Sequence, residues 1–133
     1  MKNLSIRALW LPTLVFVVYA CAYILGVTRQ LPWIDMVFHL FGGFSIGYCV
    51  SRNLVVLDAR GVVQGLDGVL RAAFILAMTA TAAVFWEFAE FAVDSTFAMR
   101  FQTDLPDTMS DLALGVVGGI IFLALPRHSR PDA

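Results

Sequence analysis

The stretch AVFWEFAEFAVD, residues 83–94, is almost wholly apolar, yet it carries Glu87, Glu90 and Asp94. It closes a longer run, Ala72 to Val93, in which Glu87 and Glu90 are the only charges. A membrane-crossing helix needs about 20 mostly apolar residues, and this run supplies them. Three further segments qualify. Ala8–Val27 has no charge, Pro32–Val50 has only Asp35 and His39, and Thr108–Leu125 has only Asp111. The expected fold is therefore all-α: an integral membrane bundle of four transmembrane helices, forming one membrane domain over residues 1–133.

Composition points the same way. The chain is 59% hydrophobic and 14% charged, against about 25% charged in soluble domains, and its mean hydropathy is +0.80. A net charge of −1 gives no basic surface for a nucleic acid. Cys21 and Cys49 lie inside apolar segments and form no CxxC pattern, so they read as small buried hydrophobes.

Lys and Arg set the orientation, because cytoplasmic loops retain them. Lys2, Arg7, Arg52, Arg60, Arg71, Arg127 and Arg130 fall on one side, and Arg29 and Arg100 on the other. Both termini are expected to be cytoplasmic, with the loops at 28–31 and 94–107 facing outward. The basic start and apolar run of residues 1–21 also suit a signal peptide, and VYAC loosely resembles a lipoprotein cleavage site. Tyr19 fits that site poorly and the apolar run continues to Val27, so a retained span is the expectation. Pro12 belongs in a first helical turn, Pro32 and Pro106 at helix starts, and Pro126 at the end of the last span. GVVQGLDGVL, residues 61–70, reads as a glycine-rich connector in which Asp67 is a loop charge, as is Asp58 before it.

The acids fall into stripes. Asp35 and His39 are spaced i,i+4, Glu87 and Glu90 i,i+3 with Asp94 four further on, and Asp107 and Asp111 i,i+4. The orientation places all of them in the outer half of the bilayer, with His39 one turn, or ~6 Å, below Asp35. Gly42, Gly43 and Gly47 continue the first stripe, and Gly115, Gly118 and Gly119 the last. Small residues mark close helix contacts in membranes, so the stripes are expected to face the bundle interior.

No Lys or Arg occurs within a span to neutralise these carboxylates. Crowded acids must then be protonated, share protons, meet water or bind a cation. An ionisable group inside a membrane is a functional-site hypothesis by default. For a metal, the expected ligands are His39, Glu87, Glu90 and Asp111, with Asp35 and Asp107 as catalytic candidates or supporting carboxylates. One imidazole among carboxylates favours Mg²⁺, Mn²⁺ or Ca²⁺, with non-haem iron as a further fit. Interhelical hydrogen bonding alone is the structural alternative, and an N-terminal helical turn would by itself account for Asp107. Trp10, Trp33, Trp86, Tyr19 and Tyr23 read as interface anchors. Phe38, Phe41, Phe44, Phe85, Phe88 and Phe91 read as lipid or packing contacts, and His128 as a solvated tail residue.

IDMVFHLFGG (34–43), WEFAE (86–90) and LPDTMSDLALGVVGG (105–119) form an ordered pattern over roughly residues 34–122. It resembles the small bacterial inner-membrane proteins of the YjdF type. More distantly it resembles VanZ-like proteins, which share a four-span layout and the early acid-x-x-x-His. The resemblance implies a multi-pass protein of the bacterial inner membrane, with Asp35, His39, Glu87, Glu90, Asp107 and Asp111 as signature positions. VanZ-like proteins are associated with glycopeptide resistance and the cell envelope. Their pattern has an Arg and an Asn around its last motif, and this chain has neither there.

Three functions fit. A bound divalent cation could activate water against a lipid-linked or envelope substrate, as a metal-dependent hydrolase. The same acids could take up a proton or cation for transport, which four spans would serve best as a homo-oligomer. The third is an accessory membrane protein with a structural polar core. Membrane lipids are the expected surroundings in each case.

Overall fold

The computed structural model describes residues 6–125. Lys2, Pro126, Arg127, His128 and Arg130 lie outside the described residues. The described residues contain helices and no strand. A 3₁₀ turn at Ile6–Leu9 leads into α1, Trp10–Ile24, and α2 is the short Val27–Gln30. The long helices α3, Trp33–Ala59, α4, Gly68–Phe97, and α5, Leu105–Ala124, follow. Four helical segments, α1 with its 3₁₀ turn and α3, α4 and α5, are long and apolar enough to cross a membrane.

Local sequence explains the boundaries. Pro12 sits in the first turn of α1, where its missing N–H would be unpaired anyway. Gly26 takes φ 72°, a left-handed conformation that separates α1 from α2. Pro32 is the N-cap of α3. That helix runs past the expected Val50 to Ala59, because residues 51–59 contain no glycine or proline to stop it. Hydropathy marks the membrane, whereas helix ends follow backbone chemistry. Asp67 is the N-cap of α4 rather than a free loop charge, its Oδ1 accepting from the Leu70 N–H at 2.8 Å. Asp58 lies in the last turn of α3 and pairs with Arg71 of α4 at 3.3 Å. At α5, Asp104 accepts from the Asp107 N–H at 2.9 Å, and Pro106 occupies the first turn.

The molecule is polar inside and apolar outside. His39, Ser45, Thr79, Glu87, Glu90 and Asp111 are buried, while Phe85, Phe88 and Phe91 are 67%, 62% and 61% exposed. That inversion suits hydrocarbon surroundings, where apolar side chains face lipid and polar groups must find partners inside.

Helix α3 touches α1, α4 and α5, and its seam with α5 is the most extensive in the bundle. Glycine makes that seam. A Cβ on Gly43 would overlap the Gly115 carbonyl, and one on Gly118 would overlap the Leu40 carbonyl. On α4, Thr79 and Ala83 would meet a Cβ on Gly119 or Gly115 at about 3 Å. Gly42 differs from the expectation for its stripe, since a Cβ there meets nothing within 4 Å. It lines a cavity instead. Helices α1 and α4 have no comparable backbone approach. Aromatic side chains bridge them, Phe16 and Tyr19 standing edge-on to Trp86 at 5.5 and 5.3 Å.

Candidate functional site

Three helices bring the acids together around one imidazole. The first half of α3 supplies Asp35 and His39, the second half of α4 supplies Glu87 and Glu90, and the start of α5 supplies Asp111. The glycine seams hold these helices close enough for short carboxylates to meet across them. His39 Nε2 lies 3.7 Å from Asp35 Oδ2 and 3.8 Å from Asp111 Oδ2, and Nδ1 lies 3.7 Å from Glu87 Oε1. The His39, Glu87 and Asp111 side chains are only 6%, 5% and 4% exposed.

These separations exceed the roughly 2.7–3.2 Å of an N–H···O hydrogen bond. His39 Nε2, Glu87 Oε1 and Asp111 Oδ1 are buried without a hydrogen-bond partner. Orphaned polar atoms are costly in a protein interior, and here three of them belong to side chains around one buried ring, Glu87 at Nδ1 and Asp111 at Nε2. Two overlapping groups offer ligand atoms within 4.8 Å of one another: Asp35 with His39 and Asp111, and His39 with Glu87 and Glu90. A neutral imidazole has one lone pair and one N–H. One ring nitrogen can therefore ligate while the other donates to the facing carboxylate and fixes the ring.

The surrounding contacts hold this set in place. Glu90 Oε1 accepts from the Tyr19 hydroxyl and from Trp86 Nε1, both at 2.8 Å. Glu87 Oε2 accepts from Gln102 Nε2 at 2.9 Å. Gln102 is positioned by Asp94, whose carboxylate takes the backbone N–H groups of Phe101 and Gln102 at 2.8–2.9 Å. Asp94 thus shapes the loop between α4 and α5 and does not extend the acid cluster. Asp107 is half-buried, its Oδ2 accepting from the Thr103 N–H at 3.1 Å. With its own N–H on Asp104, it closes the first turn of α5, apart from the His39 contacts.

The sequence-predicted His39, Glu87, Glu90 and Asp111 therefore meet in the interior, joined by Asp35. Cys21 is exposed and takes no part. Tyr19, Trp86 and Gln102 were missed as partners of the acids. The i,i+4 spacing of Trp86 and Glu90 was a readable sign, whereas Gln102 reaches the site only through the loop fold.

Three cavities adjoin the cluster. One of 170 Å³ extends from His39 along Gly42, Gly43, Thr79, Ala83 and Gly115. One of 190 Å³ is lined by Asp35 and Asp107 together with Arg29 and Arg100. The largest, 460 Å³, lies between α1 and α4, with Glu90, Tyr19 and Trp86 in its wall.

No curated protein and no solved structure matches the chain. One family does match, over residues 2–130, and its description agrees with the four apolar helices: the chain belongs to the family described as "Predicted membrane protein (DUF2238)".

Proposed function

We propose that the cluster binds a divalent cation, and that the protein uses it on a lipid-linked or envelope molecule at the bacterial inner membrane. The observation that carries this reading is the set of orphaned atoms, His39 Nε2, Glu87 Oε1 and Asp111 Oδ1, on side chains gathered at low exposure around one imidazole. Carboxylates gathered in a low-dielectric interior need protons or positive charge, and no Lys or Arg forms an ion pair with them among the described residues. His39 Nδ1, Glu87 and Glu90 would hold the ion, while Asp35 and Asp111 face the other ring nitrogen. The oxygen-rich set favours Mg²⁺, Mn²⁺ or Ca²⁺. Such an ion supplies Lewis acidity and lowers the pKa of bound water. The chain's own residues then fix the ring of His39, hold Glu90 through Tyr19 and Trp86, and exclude bulk water.

Proton or cation transport draws on the same acids. It is less well supported, because the space beyond His39 is lined mostly by apolar side chains, with no further charged group, and the Ser45 and Thr79 hydroxyls there already donate to backbone carbonyls. The Lys and Arg distribution supports an outward-facing cluster with both termini cytoplasmic. The motif resemblance to YjdF-type and VanZ-like proteins supports the envelope setting.

Elemental analysis of detergent-purified protein tests the reading, wild type beside Glu87→Gln/Glu90→Gln. We expect one or two divalent ions per chain, lost in the variant, with helix content unchanged by circular dichroism. Wild-type protein that stays metal-free after incubation with Mg²⁺, Mn²⁺, Ca²⁺ and Fe²⁺ would remove the reading.

A further inference from the structure

The cavity of 460 Å³ and the polar mouth of 190 Å³ share Tyr19, Tyr23, Arg29 and Phe101, so they adjoin. The larger one is mostly apolar, walled by Phe16, Ala20, Ile24, Ala89 and Val93, with Glu90 and Arg29 as its charged residues. It falls within the roughly 300–1,000 Å³ range of ligand pockets. It lies where α1 and α4 fail to meet, and Ile24 and Ala89 on its edges are exposed. A molecule already in the membrane could enter from the side.

The mouth has charges of both signs on different elements. Arg29 comes from α2 and Arg100 from the α4–α5 loop, while Asp35 comes from α3 and Asp107 from α5. Although all four line one cavity, neither arginine forms an ion pair with a carboxylate among the described residues. The Arg29 guanidinium lies over the Tyr23 ring at 5.8 Å. The Tyr23 hydroxyl is buried without a hydrogen-bond partner. Opposite charges that share a cavity yet stay apart suit a ligand carrying both. Basic pockets beside membrane helices bind lipid phosphates, and an ammonium with three N–H donors suits carboxylates.

We infer that this double cavity binds a phospholipid with a primary-amine headgroup of the phosphoethanolamine type. One of its acyl chains lies between α1 and α4, its phosphate meets Arg29 and Arg100, and its ammonium meets Asp35 and Asp107. The inference rests on the proposed cation site for its functional meaning, because it would bring the lipid headgroup next to that site. The binding itself needs no metal.

The full chain in detergent, with chelator present, is titrated with phosphatidylethanolamine, phosphatidylcholine and phosphatidylglycerol, and bound lipid is counted by native mass spectrometry. Phosphatidylethanolamine should bind tightest, roughly tenfold above phosphatidylcholine, whose quaternary ammonium cannot donate hydrogen bonds. Arg29→Gln/Arg100→Gln should weaken it by about tenfold or more, since two charge-assisted contacts go. Ala89→Trp, at an exposed position and so compatible with folding, should block the tail groove. Glu87→Gln should retain lipid while losing the cation, which separates failure of this inference from failure of the metal reading. Equal or tighter binding of phosphatidylglycerol or phosphatidylcholine would overturn the inference. So would wild-type lipid binding by both the double-arginine and Ala89→Trp variants. Displacement of the lipid by soluble phosphoethanolamine at equal concentration would overturn the role of the tail.

Discussion

The two seams of the bundle are built by opposite means. Between α3 and α5, glycines bring backbone against backbone, and Gly43 and Gly118 leave no room for a methyl group. Between α1 and α4, the backbones stay apart and Phe16, Tyr19 and Trp86 span the distance. The first seam fixes the relative positions of His39, Asp35 and Asp111 through stiff main chain. The second places Glu90 through rotatable side chains and leaves cavities beside it. Precision and access are thus assigned to different faces of the same site.

The comparison can be broken most severely at Gly43. Gly43→Ala should separate α3 from α5 and cost roughly 3 kcal/mol, whereas Gly42→Ala, one residue away, should change stability by less than about 0.5 kcal/mol. Unfolding titrations in mixed micelles measure both, and equal effects would contradict the asymmetry of the seam. Tyr19→Phe sharpens the aromatic side. It removes one of two donors to Glu90 Oε1 and should cost about 1 kcal/mol. Cation affinity should fall with it, while the α3–α5 seam stays intact by disulfide trapping across the pair. Gln102→Ala is the mildest at the site. It takes a donor from Glu87 Oε2 and should lower cation affinity by about tenfold with less than ~1 kcal/mol lost in stability. Isothermal titration calorimetry would show it, and an unchanged affinity would mean that Gln102 only ties down its loop.

Much of this was legible in the sequence. Four apolar runs give the four long helical segments, and the i,i+4 and i,i+3 spacings place Asp35, His39, Glu87, Glu90 and Asp111 on inward faces. The limits of the helices were less legible. Ser51–Ala59 is too polar to look like membrane, but it contains nothing that ends a helix. Tyr19 was hidden because a lone tyrosine in an uncharged span looks the same whether it anchors at an interface or donates to a buried acid. Asp94 misled for the reverse reason. Helical spacing aligned it with the glutamates, but two loop N–H groups claimed its carboxylate. Such loop closure depends on a chain reversal that periodicity does not encode.

The tightest seam also joins helices that emerge at different times during synthesis. Helix α3 enters the membrane before α4 and α5, carrying Asp35 and His39 without the groups that will face them. Helix α4 brings Glu87 to His39 Nδ1 first, and only α5, whose glycines seat against Leu40 and Gly43, brings Asp111 to Nε2, so the polar core closes last along this seam.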